Sequence, residues 1–181
     1  LSGYMHSLMA VDLEGNPLTR LMMWNDGRSF EYATKYKDNG SGQKIYENTG
    51  TPIHAMGPLY KLMWLRDKES EIFEKAHKFI SMKEFLLYKM TNEFAIDHSM
   101  ASATGMFDLK TLDWNDLALR EIALKKDRLS TPCPTTTIFN TMTKEFQEAI
   151  GAEEPFPIVI GATDGCLASL GSHGHGKIQG W

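Results

Sequence analysis

The chain has 181 residues, 42% of them hydrophobic and 23% charged, the balance of a globular domain with one core rather than of a disordered or fibrous chain. With 19 Lys and Arg against 23 Asp and Glu, the net charge is -4 and the charges are interspersed, so no basic stripe exists to neutralise a nucleic-acid backbone. The longest apolar runs, such as Phe156–Ile160, fall far short of the roughly 20 residues that span a bilayer, and no charged-then-apolar leader opens the chain; a soluble, cytoplasmic protein is expected.

In chain order, Leu8–Val11 reads as a strand, Gly15-Asn16-Pro17 as its turn, and Leu18 through Leu21-Met22-Met23-Trp24 as a second strand pairing back. Arg28–Tyr36 predicts a short helix, Asp38–Gly42 a loop, and Gln43–Glu47 another short helix. From Leu59, apolar residues recur at helical spacing over two stretches divided near Lys68–Ser70. Phe79, Ile80, Met82, Phe85, Leu86 and Met90 continue that pattern on a third helix, and these stripes are read as core faces.

Ser99–Gly105 is a run of small residues suited to a packed turn or the floor of a pocket. Leu117–Ala123 has helical character, and Glu145–Ile150 predicts a helix ending at Gly151. Pro155-Phe156-Pro157 then admits a buried strand, Ile158–Ile160. The ends look cut: the first residue is Leu1, and a further strand is starting where the chain closes at Gly176–Trp181.

Chemistry concentrates after Ile160, where Gly161-Ala162-Thr163-Asp164-Gly165 forms a strand-to-helix junction of the kind that gathers ligands in α/β sheets. Asp164 is the first candidate, expected at the strand end and open to a cleft; the alternative is that Asp164 only caps the following helix. Near the other end, Tyr4-Met5-His6-Ser7 and Asn25-Asp26-Gly27-Arg28 bring polar groups together if the hairpin forms, although Asp26 with Arg28 also suits a plain turn. The six histidines contain no HExxH pair, only His173-Gly-His175 in the glycine-rich tail, and no metal site is expected. Cys133 and Cys166 lack CxxC spacing and are read as buried thiols. Absence of GxGxxG, GxxxxGK[ST] and GxSxG removes the common dinucleotide, phosphate-loop and serine-hydrolase readings.

Several runs, in order, resemble the FGGY family of carbohydrate kinases, most closely its gluconate kinase branch. Met5–Asp12 with Gly15–Thr19 resembles the substrate-side hairpin, and Trp24–Ser29 the turn after it. Thr49–His54 leads into Met56-Gly57-Pro58-Leu59-Tyr60-Lys61-Leu62-Met63-Trp64-Leu65, similar to the family's first signature with its Lys-x-x-Trp core; Lys68 departs from the polar or acidic residue that usually closes it. Asp97–Asp108 and Gly161–Gly171 complete the match, whereas the tail from Ser172 resembles relatives only loosely.

The resemblance implies an α/β fold, part of the actin-like, ribonuclease-H-like first domain of a two-domain sugar kinase. Residues 1–171 would be most of that domain without its first strands and their phosphate loop, and 172–181 a truncated or divergent tail toward a second domain. It further implies that Asp164 is the general base for the sugar hydroxyl, that Met5 and His6 line the polyol pocket, and that His54 and Met56 lie on a loop closing it. His6, Arg28, His54 and Lys61 are the cations available to a substrate carboxylate; Asp26, Arg28 and Lys61 equally suit holding the turn. The implied ligands are ATP, Mg2+ bound mostly elsewhere, and a sugar acid or polyol such as gluconate, with a homodimer in the parent protein and no activity in the piece alone. A stand-alone carbohydrate-binding or regulatory module is the competing class, and a hydrolase using Asp164 lacks any marked partner carboxylate.

Overall fold

The computed structural model describes residues 1–172, in which short strands alternate with helices. β1 (Ser2–Gly3) is followed by β2 (Met9–Val11), whose three residues are all buried. The turn after β2 closes through the Asn16 amide, which donates to Asp12 Oδ1 at 2.8 Å, with Gly15 at a left-handed φ of 73°. The expected second strand over Leu18–Trp24 is not regular: it makes only the isolated bridges Val11↔Pro17 and Leu8↔Met22. Pro17 has no N–H to give, and the Thr19 hydroxyl takes the Ala10 amide at 3.0 Å, so a side chain interrupts the ladder.

α1 (Phe30–Asp38) and α2 (Gln43–Thr49) follow, the latter ended by Gly50 at φ 67°. α3 (Pro58–Lys68) starts with proline in its first turn, where a missing N–H is harmless, and α4 (Ser70–Lys75) begins after a break at Glu69, as the spacing predicts. Leu59, Leu62, Met63 and Leu65 of α3 are buried in the main core with Leu8, Met22, Phe73, Phe79, Phe107 and Trp114.

The third stripe is divided differently from expectation. Lys78–Ile80 is β3, antiparallel to β2 with Met9 opposite Ile80, and the helix α5 covers only Met82–Thr91. Ser81 separates them: its hydroxyl accepts from the Glu84 amide while the Glu84 carboxylate accepts from the Ser81 amide at 2.6 Å, a reciprocal cap whose Ser-x-x-Glu pattern stands in the sequence. Met82 and Leu86, expected in the core, are exposed; α5 instead buries Lys83, Glu84, Leu87, Met90 and Thr91.

β4 (Ala95–Asp97) leads into α6 (His98–Ser102), a hairpin of β5 (Phe107–Asp108) and β6 (Asp113–Trp114), and α7 (Asp116–Glu121) capped by Asn115. β7 (Thr131–Cys133) runs parallel to β4. β8 (Ile138–Phe139) pairs antiparallel with β9 (Ile158–Val159), and α8 (Lys144–Ile150) between them ends at Gly151 at φ 66°. The chain then forms β10 (Ala162–Thr163), parallel to β1, and α9 (Asp164–Gly171). A second core of Leu87, Met90, Ala95, Ile158 and Ile160 lies on this side. Among the described residues no helix is long and apolar enough to cross a membrane. The expectations for the tail, with His173 and His175, fall outside the described residues beyond Ser172.

Burial pushes the Glu84 carboxyl up to about 7, with the charge of Asp97 adding to the effect against the Ser81 hydrogen bonds. The folded state therefore holds this proton more tightly than the unfolded chain, and stability falls as pH rises from about 4.5 to about 7. Thermal unfolding between pH 4.5 and 8 should show this decline, on the order of 3 kcal/mol at most, and Glu84→Gln should flatten it while leaving the protein at least as stable at pH 7.5.

Candidate functional site

The site is built where β1 and β10 lie side by side, with Ser2 opposite Ala162 and Gly3 opposite Thr163. Gly161 makes this approach possible: at φ 68°, a Cβ there would stand 1.9 Å from the Leu1 carbonyl oxygen. Val159 is exposed and Gly161 turns the chain, so Asp164 follows the separate strand β10 rather than the end of a single buried Ile158–Ile160 strand.

Thr163 is fully buried and caps α9, its hydroxyl accepting from the Cys166 amide at 3.3 Å. The capping role offered as an alternative for Asp164 is thus filled by its neighbour. Asp164 is the first residue of α9 and exposed; Oδ1 accepts from the Gly165 amide at 2.8 Å, and no hydrogen bond to Oδ2 occurs among the described residues. A carboxylate at this end of a helix sits in the favourable field of the backbone dipoles. Cys166 is exposed on the same helix and Cys133 is half-buried, so neither is the buried thiol expected.

From β1 the chain passes through Met5 to His6. Met5 reaches toward the start of α9, its Cε lying 3.7 Å from where a Cβ on Gly165 would stand. His6 is held at a left-handed φ of 66°, unusual for a residue with a side chain. Its Nδ1 lies 3.1 Å from the Ala103 carbonyl, which assigns Nδ1–H as donor and leaves Nε2 to accept when the ring is neutral. Burial lowers the His6 pKa, the Ala103 carbonyl opposes this, and the positive charges of Lys61 and His54 lower it further. Met5 and His6 line an open depression of about 340 Å³ with Thr51, Ser102, Ala103 and Leu109.

Lys61 is completely buried, and its ammonium donates to the carbonyls of His6 at 2.6 Å and Met23 at 2.7 Å. Burial lowers its pKa to about 8, against the attraction of Asp26. Arg28 donates from Nε to Asp26 Oδ1 at 2.8 Å and from its amide at 3.1 Å, and its guanidinium lies 4.7 Å from the Trp64 ring centre. Burial would raise the Asp26 pKa, but the Arg28 hydrogen bonds outweigh it and hold the carboxyl below its usual range. Asp26, Arg28 and Lys61 are thus engaged with the turn. His54 is exposed, its Nδ1 accepting from the amide of half-buried Met56 at 3.1 Å; Thr51 and Pro52 from the same loop line the depression.

Sequence reasoning missed the support beneath these residues. Lys83 and Asp97 form an ion pair at 2.6 Å with side chains 3% and 1% exposed. Asp97 Oδ1 accepts from the amides of Ser99 at 3.0 Å and Met100 at 3.1 Å and from the Ser99 hydroxyl, whose oxygen accepts from the Thr163 amide at 2.9 Å. The local signal was an acid followed two residues later by serine at a helix start; its link to Thr163 has none. Among the described residues no group of three or more His, Cys, Asp and Glu side chains is placed to hold a metal ion.

Comparison with known proteins matches residues 1–171 to the FGGY family of carbohydrate kinases, N-terminal domain. A gluconokinase of Bacillus subtilis (strain 168) is 45% identical over 170 residues, which is 94% of this chain and 33% of that protein. A xylulose kinase of Escherichia coli (strain K12) is 28% identical over 171 residues. A crystal structure of gluconate kinase from Lactobacillus acidophilus superposes with a TM-score of 0.91 at 34% identity, covering 95% of this chain and 35% of that one. The chain therefore spans about a third of the length of these relatives.

Replacing Lys61 by Met strands the carbonyls of His6 and Met23 without their donor. Urea unfolding of Lys61→Met should show a loss of about 2 kcal/mol or more, and the His6 ring, released from a neighbouring positive charge, should titrate at higher pH by NMR.

Proposed function

The chain belongs to the FGGY family of carbohydrate kinases, and on that premise we propose that it forms the sugar-binding side of a cytoplasmic kinase that phosphorylates a terminal hydroxyl of gluconate. The observation that supports this reading is the approach of Met5, which lines the depression with His6, to Gly165 at the start of α9, the residue next to the exposed Asp164; Asp164 itself is not part of the lining of that depression. The 45% identity to a gluconokinase supports a sugar acid as substrate, and the actin-like fold expected from the sequence agrees with the match to a gluconate kinase structure.

In this reading Asp164 is the general base. Its carboxylate takes the proton of the hydroxyl as that oxygen becomes the nucleophile, while ATP, the second substrate, supplies the phosphoryl group. The neutral His6 ring, held by Ala103 and by Lys61 through its carbonyl, presents Nε2 to a sugar hydroxyl. Lys61 is occupied by two carbonyls and Arg28 by Asp26 and Trp64, and the neutral His6 ring has only an acceptor left, so the carboxylate of the substrate falls to His54, whose Nδ1 accepts from the Met56 amide and whose Nε2–H is thereby a donor. The described residues do not fit ATP or Mg2+: they contain no clustered metal ligands, and the sequence has no glycine-rich phosphate loop. Nucleotide and metal are assigned to other parts of the kinase, and the 181-residue chain alone should not consume ATP.

In the full-length kinase, Asp164→Asn keeps the shape of the side chain but removes the proton acceptor. Coupled ADP-release assays with gluconate should show kcat lowered by roughly 10²-fold or more with KM little changed; parental turnover would displace Asp164 from the chemistry. His54→Gln should raise KM for gluconate roughly tenfold and leave KM for xylulose, which lacks the carboxylate, nearly unaltered. Equal effects on both sugars would remove His54 from carboxylate recognition.

A further inference from the structure

The strands that carry the proposed site are too short to hold it by themselves. β1 and β10 are two residues each, and α9 is exposed along most of its length, so backbone pairing gives little resistance to displacement of Asp164. What grips the junction from below is the Thr163 amide, which donates to Ser99 Oγ at 2.9 Å one residue before Asp164.

The direction of that bond is dictated by the groups behind it. Asp97 is engaged at both oxygens: Oδ2 accepts from the Lys83 ammonium, and Oδ1 from two amides and the Ser99 hydroxyl. Since the Ser99 proton points at Asp97, its lone pairs are turned to Thr163. Lys83 also bears on β1, for a Cβ on Gly3 would stand 2.9 Å from Lys83 Cβ. One buried relay therefore touches both the strand leading to Met5 and His6 and the strand leading to Asp164.

Building on the function proposed above, we infer that Ser99 is a positioning residue, oriented by the Lys83–Asp97 pair, that fixes the Asp164 carboxylate relative to the sugar held by Met5 and His6. Ser99 touches no substrate; it acts through the Thr163 amide. Losing its oxygen lets the start of α9 shift, and a displacement on the order of 1 Å at a reacting group can cost about 10²-fold in rate.

The test uses the full-length kinase with Ser99→Ala. At saturating gluconate and ATP, kcat should fall roughly tenfold or more while KM for gluconate stays within about twofold, and Ser99→Thr, which restores a hydroxyl, should recover most of the loss. Hydrogen exchange at the Thr163 amide should quicken in Ser99→Ala. Thr91→Ala removes a hydroxyl on α5 that donates to the Leu87 carbonyl and accepts from the Glu93 amide, and so has no bond to β10; it should lower the unfolding midpoint without lowering kcat. If Ser99→Ala does not fold, Ser99→Cys, with a poorer acceptor of similar size, gives the same readouts. Parental kcat in Ser99→Ala with Asp164→Asn impaired overturns the positioning role alone, as does unaltered exchange at Thr163. Asp164→Asn turning over like the parent overturns this role and the proposed base together.

Discussion

The buried ion pair between Lys83 and Asp97 is the constraint on which the arrangement of this domain turns. Removing two full charges from water is expensive, and such a pair persists only where the remaining donors and acceptors are satisfied. Here α5 provides the ammonium, the end of β4 the carboxylate, and the start of α6 the amides and hydroxyl that complete it. None of these segments can slide without exposing a charge to an apolar surrounding, so the pair dictates where α5 and α6 meet, and with them where β1 and β10 rest.

A second support of the same kind stands beneath His6. The Lys61 ammonium is directed at two carbonyls from segments far apart in sequence, those of His6 and Met23, and so clamps the chain before β2 to the segment that returns alongside it. This explains how His6 tolerates a left-handed backbone: its ring is tied to Ala103 and its carbonyl to Lys61, so the conformation is determined from both sides. In both supports a cation is used for architecture, which leaves the surface around the depression to groups with few competing partners. The contrast with Asp164 is plain, since its Oδ1 is engaged only by the adjacent amide and the side chain is exposed.

Much of the fold was legible locally. Gly151 ended its helix as its freedom at positive φ suggests, and the division between α3 and α4 fell at the polar break between the apolar stripes. The mistakes came where a residue's partner is distant. Phe79 and Ile80 fit a helical stripe equally well, and only pairing with Met9 and Ala10 makes them a strand. Met82 and Leu86 look like core, but α5 turns Lys83 and Glu84 inward because Asp97 and Ser81 satisfy or cap them there.

By itself, the sequence determined the α/β pattern, several of the helices and the family, and it named Met5, His6 and Asp164 as candidates, because these rest on local propensity, spacing and ordered motifs. The tertiary structure alone decided that Thr163 and not Asp164 caps α9, that Lys61 faces two carbonyls, and that Ser99 links Asp97 to β10. Each of these depends on a donor and an acceptor whose orientation is set by packing, and hydrogen bonds between residues as far apart as Ser99 and Thr163 leave no periodicity to read.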